Sequence, residues 1–418
     1  VIEFTKFTLE NGLCVIVHED KTTPMVAVNV LYNVGSKDES PERTGFAHLF
    51  EHLMFGGSKN VPDFDEPIQM AGGENNAFTN SDVTNYYEIL PAENIEIAFW
   101  IESDRMVNLN FDEEVLDTQR KVVVEEFKET CLNQPYGDAW HHLSGLSYKE
   151  HPYSWPTIGK VPQHVEAATM DDVKDFYNKY YCPNNAILVV AGNVSVEEVR
   201  VLAEKWFGDI PKSEVPQRKY KQEPIQDAFR EVNMESNVPL DSIYLAFHMP
   251  ERLHPDYYIV DLLSDVLCNG ASSRLYQHLL KERKLFSSID CYISGSIDPG
   301  VLIIEGNPSK DVSLVTAEVA VWEILEELKL NGITQRELEK VKNKVVSSLV
   351  FSETSVLNKA INLAFFELLK NANLINEELE LYQNITLKDM QRVAKAIFTR
   401  ENCSALRYKV MPQVGELA

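Results

Sequence analysis

The chain has 418 residues, 44% of them hydrophobic, 25% charged and 10% aromatic, which suits two or three globular domains and argues against wholesale disorder. Asp and Glu outnumber Lys and Arg by 64 to 39, a net charge of −25. That speaks against a nucleic-acid binder, because a phosphate backbone needs a cationic footprint.

In chain order, Phe4 to Leu9, the turn Asn11-Gly12, and Leu13 to Val17 with Met25 to Val34 read as strands rich in β-branched residues. Residues 41–55 change to helical period, with Phe46, Leu49, Phe50 and Leu53 on one face and Gly56-Gly57 as the stop. A short helix over 61–72 precedes strands at Asn76 to Thr79 and Thr84 to Leu90. Helices then run from Pro91 or Ala92 to Met106 and from Glu113 to Thr130. A loop-rich stretch with short helices follows over 131–165, then helix Met170 to Tyr180, strand Ala186 to Gly192 and helix Ser195 to Phe207. Residues 209–226 hold three prolines and no periodicity, which places a linker at 211–226.

Beyond it the order restarts with strand Ser242 to His248, helix Asp256 to Leu267 and helix Arg274 to Glu282. Strands Asp290 to Ile297 and Val301 to Glu305 flank Pro299. Helices follow over Val312 to Lys329, Thr334 to Phe351, Ser355 to Leu369 and Leu387 to Ile397, and Cys403 to Val410 is the last strand. The predicted fold is α+β, with two related domains at 1–210 and 227–418. Each is expected to be a mostly antiparallel sheet covered by helices on one face. No run reaches the roughly 18–20 apolar residues of a membrane-spanning helix. Six cysteines at 14, 131, 182, 268, 291 and 403 form no CxxC pair and read as buried thiols.

The sharpest signal is His48-Leu49-Phe50-Glu51-His52. Two imidazoles one helical turn apart can reach one metal, and Glu51 sits beside them, near enough to contact a metal-bound water. Two histidines so spaced also suit a surface pair. The flanking apolar residues and a downstream carboxylate-rich helix favour the metal. Zinc held by two histidines needs a third protein ligand and an open position. In the run Gln119 to Glu129, Val122, Val123 and Val124 mark the buried stretch, and Glu125, Glu126 and Glu129 are the candidates. Spacing does not choose among them. The expected chemistry is metal-assisted hydrolysis, with Glu51 taking the proton of a zinc-bound water and returning it to the leaving amine.

Five segments carry a resemblance: GFAHLFEHLMFGG at 45–57, GGENNAFTNSDVTNYY at 72–87, QRKVVVEEFKE at 119–129, HPYSWPTIG at 151–159 and YYCPNNAILVVAGNV at 180–194. With them the chain resembles, over essentially its whole length, the short-chain branch of the M16 metallopeptidases. That family includes pitrilysin, insulin-degrading enzyme and the mitochondrial processing peptidase. The resemblance implies one zinc ion per chain, held by His48, His52 and Glu126, with Glu51 as general base. It puts Gln119 where the family usually has a glutamate supporting the site. It also implies a peptide substrate added as a strand beside Asn76, Ala77, Phe78 and Thr79, and a chain forming half of a clamshell.

In the second half the family offers an arginine and a tyrosine to the substrate. The matching segment here holds Arg274, Lys281 and Ser287, with serine at the tyrosine position and Lys281 nearest the arginine. That departure implies a heterodimer with a related non-zinc subunit supplying both groups, or alternatively a homodimer using other residues. The function expected is an endopeptidase for short or unfolded peptides. A leader-peptide processing enzyme and a structural subunit of the bc1 core-protein type are the alternatives. The chain is expected to be soluble; no signal peptide is visible, a removed one stays open, and so do bacterial cytoplasm and periplasm.

Overall fold

The computed structural model describes residues 1–411, so the last seven residues of the expected 227–418 domain lie outside the described residues. The first half runs β1 (Thr5–Thr8), β2 (Cys14–Glu19), β3 (Met25–Tyr32), α1 (Phe46–Leu53), α2 (Asp65–Met70), β4 (Glu74–Thr79), β5 (Thr84–Pro91), α3 (Ile95–Asn108), α4 (Glu113–Phe127), α5 (Ala139–Ser147), α6 (Pro162–Glu166), α7 (Met170–Tyr180), β6 (Ala186–Gly192) and α8 (Val196–Phe207). The second runs β7 (Arg230–Ser236), β8 (Ser242–His248), α9 (Pro255–Cys268), β9 (Phe286–Ile293), β10 (Val301–Pro308), α10 (Leu314–Asn331), α11 (Gln335–Ser352), α12 (Val356–Leu368), α13 (Leu374–Gln383), α14 (Leu387–Ile397) and β11 (Cys403–Val410). Among the described residues no helix is long and apolar enough to cross a membrane.

Two sheets result, with strand orders β1-β2-β6-β3-β5-β4 and β7-β11-β8-β10-β9. In the first, β6 runs parallel to β2 and antiparallel to β3. In the second, β11 runs parallel to β7 and antiparallel to β8. With β1 set aside, the two orders are the same, so the duplication that is faint in residue identity is explicit in topology.

The chain forms two compact units, and neither is continuous in sequence. One comprises 1–127, 155–219 and 349–378; the other comprises 128–154, 220–348 and the described residues from 379 on. These units do not follow the expected 1–210 and 227–418 boundaries, because each takes a helix from the opposite half of the chain. In the first unit, Val15 and Val17 of β2 and Val26, Val28 and Val30 of β3 join Leu49, Phe99, Val123, Phe176 and Phe207 in one core on one face of the sheet. The opposite face receives α12, which packs on β3 and β6; the Cys14 thiol lies 3.9 Å from Glu367 of that helix. In the second unit α5 packs on β7, β8 and β11, and on the other face Phe247 meets Trp322 and Phe398 at 5.6 and 5.2 Å between ring centroids.

Both sheets are therefore covered on two faces, where the sequence predicts one. That is why β3 and β6 read as nearly unbroken apolar runs rather than alternating ones. Strand β7 (REVNMES) and helix α13 went unread in the sequence; β7 is an edge strand whose alternate residues Glu231, Asn233 and Glu235 are polar and exposed. The cysteines are free, and all but the half-buried Cys14 are buried.

Candidate active site

Helix α1 begins at Gly45, whose φ of 87° is readily reached only without a side chain. A Cβ there would also meet the Ile158 carbonyl at 2.8 Å. Buried Leu49, Phe50 and Leu53 hold the helix to the core, with the Phe50 ring 4.3 Å from that of Tyr181. This fixes the opposite side of the helix, where the His48 and His52 rings stand edge to face at 4.8 Å. Glu126 arrives on α4. Val123, Val124 and Phe127 are buried there, whereas Glu125 and Glu129 are exposed, so the helix itself selects Glu126 from the three candidates. Val122, expected within the buried stretch, is 44% exposed, one helical step out of phase with Val123.

The Glu126 Oε2 atom lies 3.7 Å from His48 Nε2 and 3.5 Å from His52 Nε2. One donor atom from each of the three residues falls within 4.8 Å of the others. The hydrogen bond to His52 holds the Glu126 carboxyl below its ordinary value against the opposing effect of burial. The same bond, with a further one to Gln119, raises His52. His48 is lowered, first by burial, and its Nδ1 is buried without a hydrogen-bond partner. Two neutral-capable imidazoles and a carboxylate converging on one centre are a donor set suited to zinc, one short of its usual four ligands. Gln119, predicted to support the site, does touch one of the three.

Glu51 projects beside this cluster. Burial raises its carboxyl, and hydrogen bonds from the side chain and backbone of Thr79 oppose the rise. Thr79 ends β4, the outermost strand of its sheet, so one row of β4 backbone groups is unpaired within the sheet. Along β4, Glu74, Asn76 and Phe78 are exposed, while Asn75, Ala77 and Thr79 are half-buried.

The three residues of the second-half motif all lie in the second unit, each with its own local partner. Arg274 forms a bidentate pair with Glu337 at 2.7 and 3.0 Å and also donates to the Gly332 carbonyl at 3.0 Å. Lys281 stacks its ammonium over Tyr276, 5.2 Å from the ring centroid. The Ser287 hydroxyl donates to the Asn307 carbonyl at 3.1 Å.

One residue of the first unit escaped the sequence reading. Glu39 is buried, and its carboxylate accepts from the Gly45 and Ala47 N–H groups at 3.0 and 2.8 Å. The only signal for it was negative: a helix opening on Gly45 has no side chain of its own to cap it.

Two family descriptions match the chain: "Insulinase (Peptidase family M16)" over residues 14–159 and "Peptidase M16 inactive domain" over residues 167–345. The zinc protease PqqE of Helicobacter pylori is 31% identical over 400 residues, covering 94% of this chain and 89% of that protein. The mitochondrial-processing peptidase subunit beta of Saccharomyces cerevisiae is 26% identical, covering 82% of this chain and 77% of that one. The crystal structure of a protease from Helicobacter pylori superposes with a TM-score of 0.93 at 28% identity, covering 98% of this chain and all of that one.

Proposed function

The chain belongs to the M16 peptidase family, and from that premise we propose that it is a zinc-dependent endopeptidase acting on short or unfolded peptides. The observation that carries this reading is the convergence of His48, His52 and Glu126 beside Glu51, which is bonded to the end of an edge strand. In it the N-terminal part, residues 1–210, bears the catalytic role, and His48, His52 and Glu126 hold one zinc ion per chain. Zinc bound there would supply Lewis acidity, polarising the scissile carbonyl and acidifying water.

The remaining steps belong to the chain. A peptide pairs with the free side of β4 through its backbone, which tolerates many sequences. Thr79 holds Glu51 in place, and Glu51 removes a proton from the attacking water and delivers it to the leaving amine. Burial raises the Glu51 carboxyl, which strengthens it as the base that takes the water's proton. Gln119 steadies His52, as an outer partner of a metal-ligating imidazole does.

Ser287 lacks the ring and reach of a tyrosine, and Lys281, nearest to the arginine position, stacks over Tyr276. Both facts support a heterodimer in which a related subunit without zinc supplies the groups that contact substrate; a homodimer is the alternative. A second reading, processing of targeting or leader peptides, is favoured by the likeness to the yeast processing-peptidase subunit.

The test is cleavage of a mixed library of unstructured peptides by the zinc-loaded chain, read by mass spectrometry beside a chelated sample and the Glu51→Gln variant. Cleavage lost in both controls is expected of an autonomous peptidase, and a requirement for a basic residue near the cut would favour processing. No cleavage with one zinc bound per chain would make the partner obligatory. No zinc and no cleavage would overturn the reading.

A further inference from the structure

Residues 35–39 connect β3 to α1 and touch two parts of the candidate site at once. On one side, Glu39 faces the first turn of α1. One carboxylate oxygen accepts from the Ala47 N–H, and the other accepts from the Gly45 N–H and from the Trp155 indole N–H at 3.1 Å. Two N–H groups at the helix start thereby gain the acceptor that Gly45 cannot offer.

On the other side the same segment is tied to the loop joining β4 to β5. The Ser36 N–H donates to the Asn80 carbonyl at 3.1 Å, and the Lys37 N–H donates to the Ser81 carbonyl at 3.0 Å. The Lys37 ammonium pairs with Asp82 at 2.6 Å, with both side chains almost wholly buried. Gly35 lies so close to this loop that a Cβ would fall 2.5–2.6 Å from the Asn80 and Ser81 backbone. A closed path results: Glu39 to the start of α1, along α1 to Glu51, across to Thr79, through Asn80 to Ser36, and back to Glu39.

We propose that residues 35–39 are a positioning clamp that sets α1 in register with strand β4, with Glu39 as its anchor on the helix. The proposal rests on the peptidase reading of the same site and deepens it. A peptide laid along β4 is positioned by the hairpin, while Glu51, His48 and His52 are positioned by α1. The clamp fixes one relative to the other without passing through the metal. Glu39 touches neither substrate nor any ligating side chain, so it is a positioning residue.

The first variant is Glu39→Gln, which conserves volume but puts an amide N–H₂ against one of the N–H donors. Expected in the zinc-loaded full chain is a kcat lower by about tenfold to a hundredfold with KM within about twofold, since misplacement of reacting groups is felt in the chemical step. Zinc affinity, read by chelator competition, should fall about tenfold, because supporting contacts tune ligand placement. Hydrogen–deuterium exchange should rise in both α1 and the β4–β5 hairpin.

The second variant is the double replacement Lys37→Met with Asp82→Leu, which removes the buried pair without stranding a charge. It should raise exchange in α1 as well as in the hairpin, and lower kcat while leaving zinc affinity near that of the parent. Exchange that rises only on the side mutated, in either variant, overturns the clamp. So does a lowered melting temperature with kcat, KM and zinc affinity unchanged. If Glu39→Gln does not fold, the double replacement decides. If the parent chain neither binds zinc nor cleaves peptides, the peptidase reading fails, and the exchange data still judge the clamp.

Discussion

The two units repeat one strand order, yet they use the same place in it differently. After its second repeated strand, β3, the first unit places α1, and its second long helix, α4, packs against α1; the link between them is His48, His52 and Glu126. The equivalent pair in the second unit is α9 and α11, and there Lys344 meets Asp265 at 2.9 Å. Nearby, Arg274 is held by Glu337 of α11. A helix-to-helix electrostatic contact therefore exists in both units. In the second it is an ordinary ion pair, satisfied by its own counter-charge. In the first it is built of groups that can exchange their proton for a metal. The scaffold is common, and the group of side chains that could hold a metal is found on one copy of it.

That contrast breaks most sharply at Glu51. In the zinc-loaded chain, or in the complete heteromer if a partner is needed, Glu51→Gln should lower kcat by about 10²–10⁴-fold, the usual contribution of a general base. Zinc content should stay that of the parent. Retained activity would deny Glu51 the role of base.

The next largest effect concerns Arg274. Arg274→Ala leaves Glu337 half-buried without its bidentate partner and should cost about 2 kcal/mol of stability by denaturant melts. Burial pushes the Glu337 carboxyl up, and Arg274 with Thr334 more than offset this, leaving it at about 2. A depressed carboxyl contributes stability that is full above its ordinary value near 4.5 and is lost as pH falls toward 2. The parent should therefore lose stability across that window more steeply than Arg274→Ala. Equal slopes would show that the pair contributes nothing. A large loss of kcat in Arg274→Ala without loss of stability would instead give Arg274 a role at the substrate.

The smallest effect is expected at the second unit's bridge. Lys344→Met should cost about 1 kcal/mol or less, as for a partly exposed ion pair. Zinc affinity should be unchanged. A change in zinc affinity would mean that the two helix pairs are not the independent copies described above.

How much of this was legible depended on whether the cause was local. His48, Glu51 and His52 were legible because helical spacing alone brings them to one side of a helix. Glu126 was not separable from Glu125 and Glu129 by spacing. The family pattern chose it, and the buried Val123 and Phe127 show why: they turn Glu126 toward α1 and its neighbours to solvent. The paired sheets were foreseen. Their second covering was not, because the apolar residues of α12 say that the helix is buried without saying on which sheet. Lys281 and Ser287 were read for what the family does with those positions, and nothing in their spacing says that they meet the Tyr276 ring and the Asn307 carbonyl instead. Glu39 was illegible for a similar reason: two of its partners are backbone N–H groups, which leave no mark in the residue letters, and the third, the Trp155 indole, lies 116 residues along the chain.

The most direct test of the zinc site is a titration with chelator competition on the parent chain and on Glu126→Gln. One tightly bound zinc per parent chain is expected, with a loss of at least about tenfold in affinity when the third ligand is neutralised and with protons released on binding. Zinc bound equally well by the variant, or no zinc bound by the parent, would contradict this.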